Sequence, residues 1–253
     1  MSSPTWTPAA LSSEARPYRG AGWRLVEAQH RVSTLGIVDS LAEQAVLEDI
    51  LEATKPVLPP ECAGLDYLLA TPFRYDALYP HGSRFRRAGR TLGVFYAAGT
   101  PRTAVAELAF YRLLFFAESP GTPFPASLGD YTAFAVRFDV RAMLDLTAAP
   151  LDCDAAHWRD PIDYSACQAL ADAARQAGVQ IIRYGSVRDP EDGCCLAVLD
   201  ARGFAEPRPF ARRTWRLRLS SFGVQAISDH PDERLEFPLA AFGADPRLAS
   251  LRL

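Results

Sequence analysis

The sequence predicts an α+β fold. Several short apolar or alternating stretches read as strands, and only two or three stretches carry helical periodicity. There is no internal repeat, and no Gly-rich phosphate loop of the Rossmann or P-loop type. Taken in order, the Ser-, Pro- and Ala-rich stretch up to about Gly22 reads as an extended arm, and Trp23 to Val26 as a short strand. From Ile37 to Ala53, Leu41, Ala45, Leu47 (or Val46), Ile50 and Leu51 recur as on an amphipathic helix, capped by Asp39 or Ser40. Pro56, Pro59 and Pro60 form a linker, so residues 1–65 read as an N-terminal addition packed on a main domain of 66–253.

In that main domain Thr91 to Ala98 reads as a strand. Thr100 followed by Pro101 is a helix start, with threonine as N-cap and proline at the first helical position, and the helix runs to about Phe116. Gly121 to Gly129 is a loop. Tyr131 to Val140 places Thr132, Phe134, Val136 and Phe138 on one face, the pattern of a half-buried strand. Asp160 and Pro161 open a helix running to Gln176 and ended by Gly178. Val179 to Tyr184 and Cys194 to Leu199 read as buried strands, and Arg213 to Leu219 as an edge or half-exposed one.

Composition narrows the function classes. The chain has 253 residues, 49% hydrophobic and 23% charged, enough apolar content to exclude disorder. No run approaches the roughly 18 apolar residues of a membrane span, and Met1–Ala10 lacks the pattern of a signal peptide, so a cytoplasmic protein is expected. Five cysteines without a CxxC pair suit a reducing compartment. Those cysteines and the four histidines, His30, His81, His157 and His230, offer no metal-ligand pattern, so no metal is expected. A net charge of −3 argues against direct nucleic-acid binding.

Charge distribution is more informative. Of 27 basic residues Lys55 is the only lysine, and between Asp76 and Glu107 there is no acid while Arg84, Arg86, Arg87, Arg90 and Arg102 fall inside. That span is a solvated arginine-rich loop, a non-enzymatic docking surface, or an anion pocket in which a guanidinium forks a phosphate. Glu107 follows directly. Its helical neighbours are Thr103, Ala104, Phe110 and Tyr111, a largely apolar face on which a carboxylate must be paired, protonated or functional. Tyr96, on the preceding strand, can converge on the same side. A tyrosine ring, an arginine and one carboxylate would suit a pyridinium dinucleotide.

The stretch Gly82-Ser83-Arg84-Phe85, then Gly89, then Gly93-Val94-Phe95-Tyr96, then Thr103-Ala104-Val105-Ala106-Glu107 resembles the first half of the RES domain. Arg183-Tyr184-Gly185-Ser186-Val187-Arg188 and Cys194-Cys195-Leu196-Ala197-Val198-Leu199 resemble its second half. The resemblance covers roughly residues 66–205, with Trp23–Val26 adding the opening strand. It implies an ADP-ribosyltransferase-like fold with mixed sheets. It also implies the toxin of a bacterial toxin–antitoxin pair, acting on NAD+ as substrate with no further cofactor. The chemistry would be hydrolysis, phosphorolysis or transfer of ADP-ribose to a protein. The implied partner is a small helix-turn-helix antitoxin of the Xre type, and a homodimer or a hetero-oligomer with that antitoxin is compatible.

Carried over, Arg84 is the family arginine, Tyr96 the tyrosine, Glu107 the glutamate and Ser186 the serine. Glu107 is then the catalytic residue, stabilising an oxocarbenium-like ribose. Tyr96 holds nicotinamide, Arg84 holds phosphate, and Ser186 hydrogen-bonds the ribose or carboxamide. Arg86 stands where many members carry asparagine and competes with Arg84. Arg24, with Arg74 in Phe73-Arg74-Tyr75 as its rival, is the first-strand arginine that contacts the dinucleotide. Ser186 as an acylating nucleophile is the alternative role, but it lacks a GxSxG setting and a histidine nearby in sequence.

Overall fold

The computed structural model describes residues 6–28, 37–74, 78–80, 82–243 and 245–252. Met1–Thr5 at the head of the expected arm, Tyr75, Asp76, His30 and His81 lie outside the described residues. The fold is α+β, as the sequence predicts.

The chain begins with a helix, not an arm. Thr7 caps α1 (Pro8–Glu14), accepting from Ala10 N, and the single apolar Leu11 is fully buried. Strand β1 follows at once as Arg16–Glu27, three times the length expected, because its whole run finds partners. Tyr18–Glu27 pair antiparallel with Val140–Tyr131 of β5 (Gly129–Asp145), while Trp23 faces Ala98 of β4 (Phe95–Ala98) across the other edge. A small ribbon of β2 (Leu78–Tyr79) and β3 (Gly89–Arg90) precedes β4, and Thr91–Val94 are not strand.

The sheet order is β1-β4-β7-β6-β5-β8-β9-β10, with β6 (Ile181–Gly185), β7 (Cys194–Val198), β8 (Ala211–Ser220), β9 (Gly223–Asp229) and β10 (Asp232–Pro238). Because β1 also pairs with β5, five strands close into a ring, and β8–β10 extend from it as an antiparallel meander. Strands β5 and β6 run parallel, so the chain must cross over between them. That crossover carries α4 (Ser165–Gln176), ended by Gly178 at φ +71°. Asp160 does not start this helix. Its carboxylate accepts from the backbone N–H of Ile162 and Asp163 (2.8 and 2.7 Å), holding a turn ahead of it.

Two corrections concern strand faces. Strand β5 is buried on both faces at Ala133–Val136, because Ala133 joins one apolar cluster and Phe134 another. Strand β8 is half-exposed, as one of its two readings has it, and not an edge: it lies between β5 and β9, with Trp215, Leu217 and Leu219 buried and Arg216 and Arg218 exposed. Strands β9 and β10 had no reading from the sequence.

Helix α2 (Leu41–Thr54) forms as expected, with Ser40 Oγ accepting from Glu43 N and the Glu43 carboxylate accepting from Asp39 N. Its apolar residues Leu41, Val46, Ile50 and Leu51 are nevertheless exposed. Helix α3 (Pro101–Glu118) packs across β1 and the meander, starting at the Thr100 cap the sequence marks. Among the described residues no helix is long and apolar enough to cross a membrane.

Leu11→Ala should destabilise the protein by about 2–5 kcal/mol, the range for emptying a buried leucine site. Chemical denaturation measures this, and an unchanged midpoint would return residues 6–15 to the status of an arm.

Candidate functional site

Helix α3 is where the site begins. Thr100 Oγ1 accepts from Thr103 N (3.1 Å) and lies 2.8 Å from Thr103 Oγ1, which itself donates to the buried Asp189 carboxylate at 2.8 Å. With that proton committed to Asp189, Thr100 must be the donor between the two hydroxyls. The same contact pins the loop between β6 and β7. Gly193 is required there by proximity, since a Cβ would sit 2.2 Å from Thr103 Oγ1 and 2.5 Å from an Asp189 oxygen. Ser186 N donates to Gly193 O (2.7 Å), closing the loop on itself.

Glu107 comes next on the same helix, half-buried. The Ser186 hydroxyl donates to its Oε1 at 2.6 Å, and the Cys195 thiol approaches the same oxygen at 3.6 Å. The direction of the serine bond is decided by its other partners. Arg188 N and Asp189 N both donate to Ser186 Oγ (3.1 and 3.0 Å), so its lone pairs are used and its one hydrogen goes to Glu107. Among the described residues no arginine or lysine forms an ion pair with Glu107, which removes the structural salt bridge as its explanation. Burial, with Glu107 adding to it, holds the Cys195 thiol well above its ordinary value, so it stays a protonated donor.

Glu107 lines a cavity of about 850 Å³, within the range of small-molecule and cofactor pockets. Tyr96, Arg24 and Arg84 line it too. The Tyr96 hydroxyl accepts from Phe85 N (3.0 Å) and lies 2.8 Å from Ser83 Oγ, which fixes the ring as a wall. Burial pushes its phenol up to about 12, so it is neutral at physiological pH. Arg24 donates to Tyr96 O (3.2 Å) and stands over the Phe95 ring at 4.9 Å. Burial lowers this guanidinium to about 10, which still leaves it charged. Arg84 is only 7% exposed; its Nη1 donates to Trp158 O (2.7 Å) and its plane lies over Tyr164 (4.7 Å).

Ser186 is fully buried and is not among the residues that line the cavity; its hydroxyl meets Glu107, which does line it. The structure also separates the rival arginines. Arg86 turns to Thr91, donating to its hydroxyl (3.2 Å) and carbonyl (2.9 Å), and stacks on Tyr79; Tyr79 and Arg84 line the cavity, and Arg86 does not. Arg74 binds Glu52 (2.6 Å) and Pro56 O (2.8 Å), away from the cavity.

The arginine-rich span is not a bare basic surface. Arg87 pairs with Asp172 (2.7 Å) and Arg102 with Glu191 (2.9 Å), acids contributed by distant segments; the Arg90 side chain lies outside the described residues. Sequence reasoning assigned no role to Tyr164, Arg188 or Arg247, which also line the cavity. Arg188 ends the Arg183–Arg188 stretch that resembles the family, but no local pattern marks the other two.

The carboxylates of Glu107 and Glu118, the Tyr96 wall and the guanidiniums of Arg24, Arg84, Arg188 and Arg247 thus share one cavity. The family model for the RES domain matches residues 58–220, well over half of the chain, and the protein belongs to that family. Among solved structures, a chain of the M. tuberculosis MbcT–MbcA toxin–antitoxin complex is similar at 12% identity and a TM-score of 0.45, covering 94% of each chain. No curated protein matches the chain.

Ser186→Ala should cost about 1–3 kcal/mol, since two buried N–H groups lose their acceptor. A lower urea midpoint at unchanged slope would register it; no change in midpoint would contradict the bonding described.

Proposed function

We propose that the protein is the toxin of a toxin–antitoxin pair and cleaves the nicotinamide–ribose bond of NAD+. The observation that carries this is the Glu107 carboxylate, held by Ser186 and free of an arginine partner among the described residues, on the wall of a cavity shared with Tyr96 and Arg84. RES family membership supports it, since that resemblance implies NAD+ as substrate.

The chemistry suits this residue set. Nicotinamide departs from a cationic pyridinium as a neutral molecule, taking the bonding electron pair, so no general acid is needed. An ordinary glycosidase requires two carboxylates because its leaving group must be protonated. Here the positive charge left on the ribose is what must be stabilised, and one carboxylate aimed by a fixed donor meets that need. Ser186 keeps Glu107 in a single orientation, so no reorganisation is needed as charge develops. Tyr96 forms a flat wall for the nicotinamide, Arg84 meets a phosphate, and Arg24 closes the strand side. Water then adds at the anomeric carbon and loses a proton, giving ADP-ribose; orthophosphate would give ADP-ribose 1″-phosphate. A protein nucleophile in the same place would make the enzyme an ADP-ribosyltransferase. The proposed partner is an Xre-type helix-turn-helix antitoxin, and the proposed setting is the cytoplasm, where NAD+ is abundant.

Purified protein should release nicotinamide from NAD+, and Glu107→Gln should slow this at least ~100-fold, the scale for losing one preorganised electrostatic group. Chromatography of the products separates ADP-ribose from its 1″-phosphate, and labelled NAD+ with a lysate exposes transfer to protein. Undiminished cleavage by Glu107→Gln would overturn the mechanism.

A further inference from the structure

The C-terminal segment Pro246–Arg252 lies beyond the residues matched by the RES model, yet packs on α3 and sends Arg247 to the cavity. Asp245, 1% exposed, organises this corner. It accepts from Arg247 Nε (3.0 Å) and Nη2 (2.7 Å), and pairs with Arg188 Nη1 at 2.9 Å. Arg247 Nη2 and Arg188 Nη2 both donate to Pro161 O (2.9 and 2.7 Å). Phe110 lies beneath both guanidiniums, 3.7 Å from Arg188 and 5.4 Å from Arg247. Their planes are thus fixed before any ligand arrives.

Tyr164 links this corner to Arg84. Its hydroxyl lies 3.4 Å from Arg188 Nη2 and is also bonded by Arg247, while Arg84 covers its ring. Burial by itself would raise the phenol, but Arg188 and Arg84, with Arg247, outweigh it and hold it below its ordinary value. Three guanidiniums therefore surround one tyrosine, and among the described residues the ion pairs of Arg188 and Arg247 share one carboxylate, Asp245. Arg84 has no carboxylate partner among the described residues. Uncompensated positive charge on a partly buried wall is unfavourable until an anion arrives. Arginine forks suit oxyanions with several acceptors, above all phosphates.

We infer that Arg247, held beside Arg188 by Asp245, adds a second guanidinium to the phosphate contact proposed for Arg84 and grips the diphosphate bridge of a dinucleotide, so that the segment outside the matched region is part of the substrate site. For NAD+ this rests on the proposed function; for a diphosphate alone it does not.

The test uses the full chain and three probes: NAD+, nicotinamide riboside and inorganic pyrophosphate. Arg247→Ala should raise KM for NAD+ about 10-fold or more, the loss of a charge-assisted contact. It should affect cleavage of nicotinamide riboside, which has no phosphate, far less than cleavage of NAD+. Pyrophosphate should bind the wild type in calorimetry and bind Arg247→Ala at least about 10-fold more weakly. Arg247→Lys, which keeps the charge without the fork, should fall between the two and guards against a folding defect. An unchanged KM for NAD+ together with unchanged pyrophosphate binding overturns the inference. So does an effect confined to the orthophosphate dependence of cleavage. A protein that cleaves neither substrate but binds pyrophosphate through Arg247 sinks the proposed function and leaves the subsite standing.

Discussion

Strand β1 has partners on both edges, β5 along nearly its whole length and β4 at Trp23, and the placement of the site follows from that double pairing. Without β1, β4 would be a four-residue strand with one edge open. With it, the ring closes and the strands present two distinct faces. One gathers Phe95, Phe134 and Phe138 with Phe204; the other receives α3 and α4. Successive residues of β4 are thereby divided: Phe95 joins the first cluster while Tyr96 turns toward the cavity. Cys195 and Leu196 of β7 divide in the same way, which brings the Cys195 thiol to Glu107.

The site itself depends on a chain of donors whose directions are all determined. Thr100 donates to Thr103, Thr103 to Asp189, and the Asp189 backbone N–H to Ser186, whose hydrogen passes to Glu107. Each group has one arrangement that satisfies it, so the carboxylate is held without an arginine that would neutralise it. Arg24 shows the opposing tendency. Burial depresses it to about 10, a sign that the folded state holds that charge at some expense of stability. A hydrogen bond to Tyr96 O and the Phe95 ring offset part of that expense. Local conflicts of this kind concentrate at sites kept for function.

Legibility in the sequence varied with the range of the signal. The Thr100–Pro101 helix start is encoded within four residues and stands where it was read, whereas the Asp160–Pro161 signal made a turn because the same side chain can serve either structure. The expected arm proved to be helix and strand, since Leu11 and the register of β1 have meaning only against elements far along the chain. Periodicity located α2, yet its apolar face lies exposed, because periodicity says which residues share a face and not what meets it.

The sequence by itself determined the α+β class, the helix that carries Glu107, and the short motifs that place Arg84, Tyr96 and Ser186 in one family pattern. Tertiary structure decided which arginine reaches the cavity, where the Ser186 hydrogen goes, and that Arg247 joins from beyond the matched region. The physical reason is distance along the chain. Arg87 meets Asp172 and Ser186 meets Glu107 across 85 and 79 residues, and no local preference encodes such partners. Only the closed ring and the two elements folded over it bring their charges and protons within bonding range.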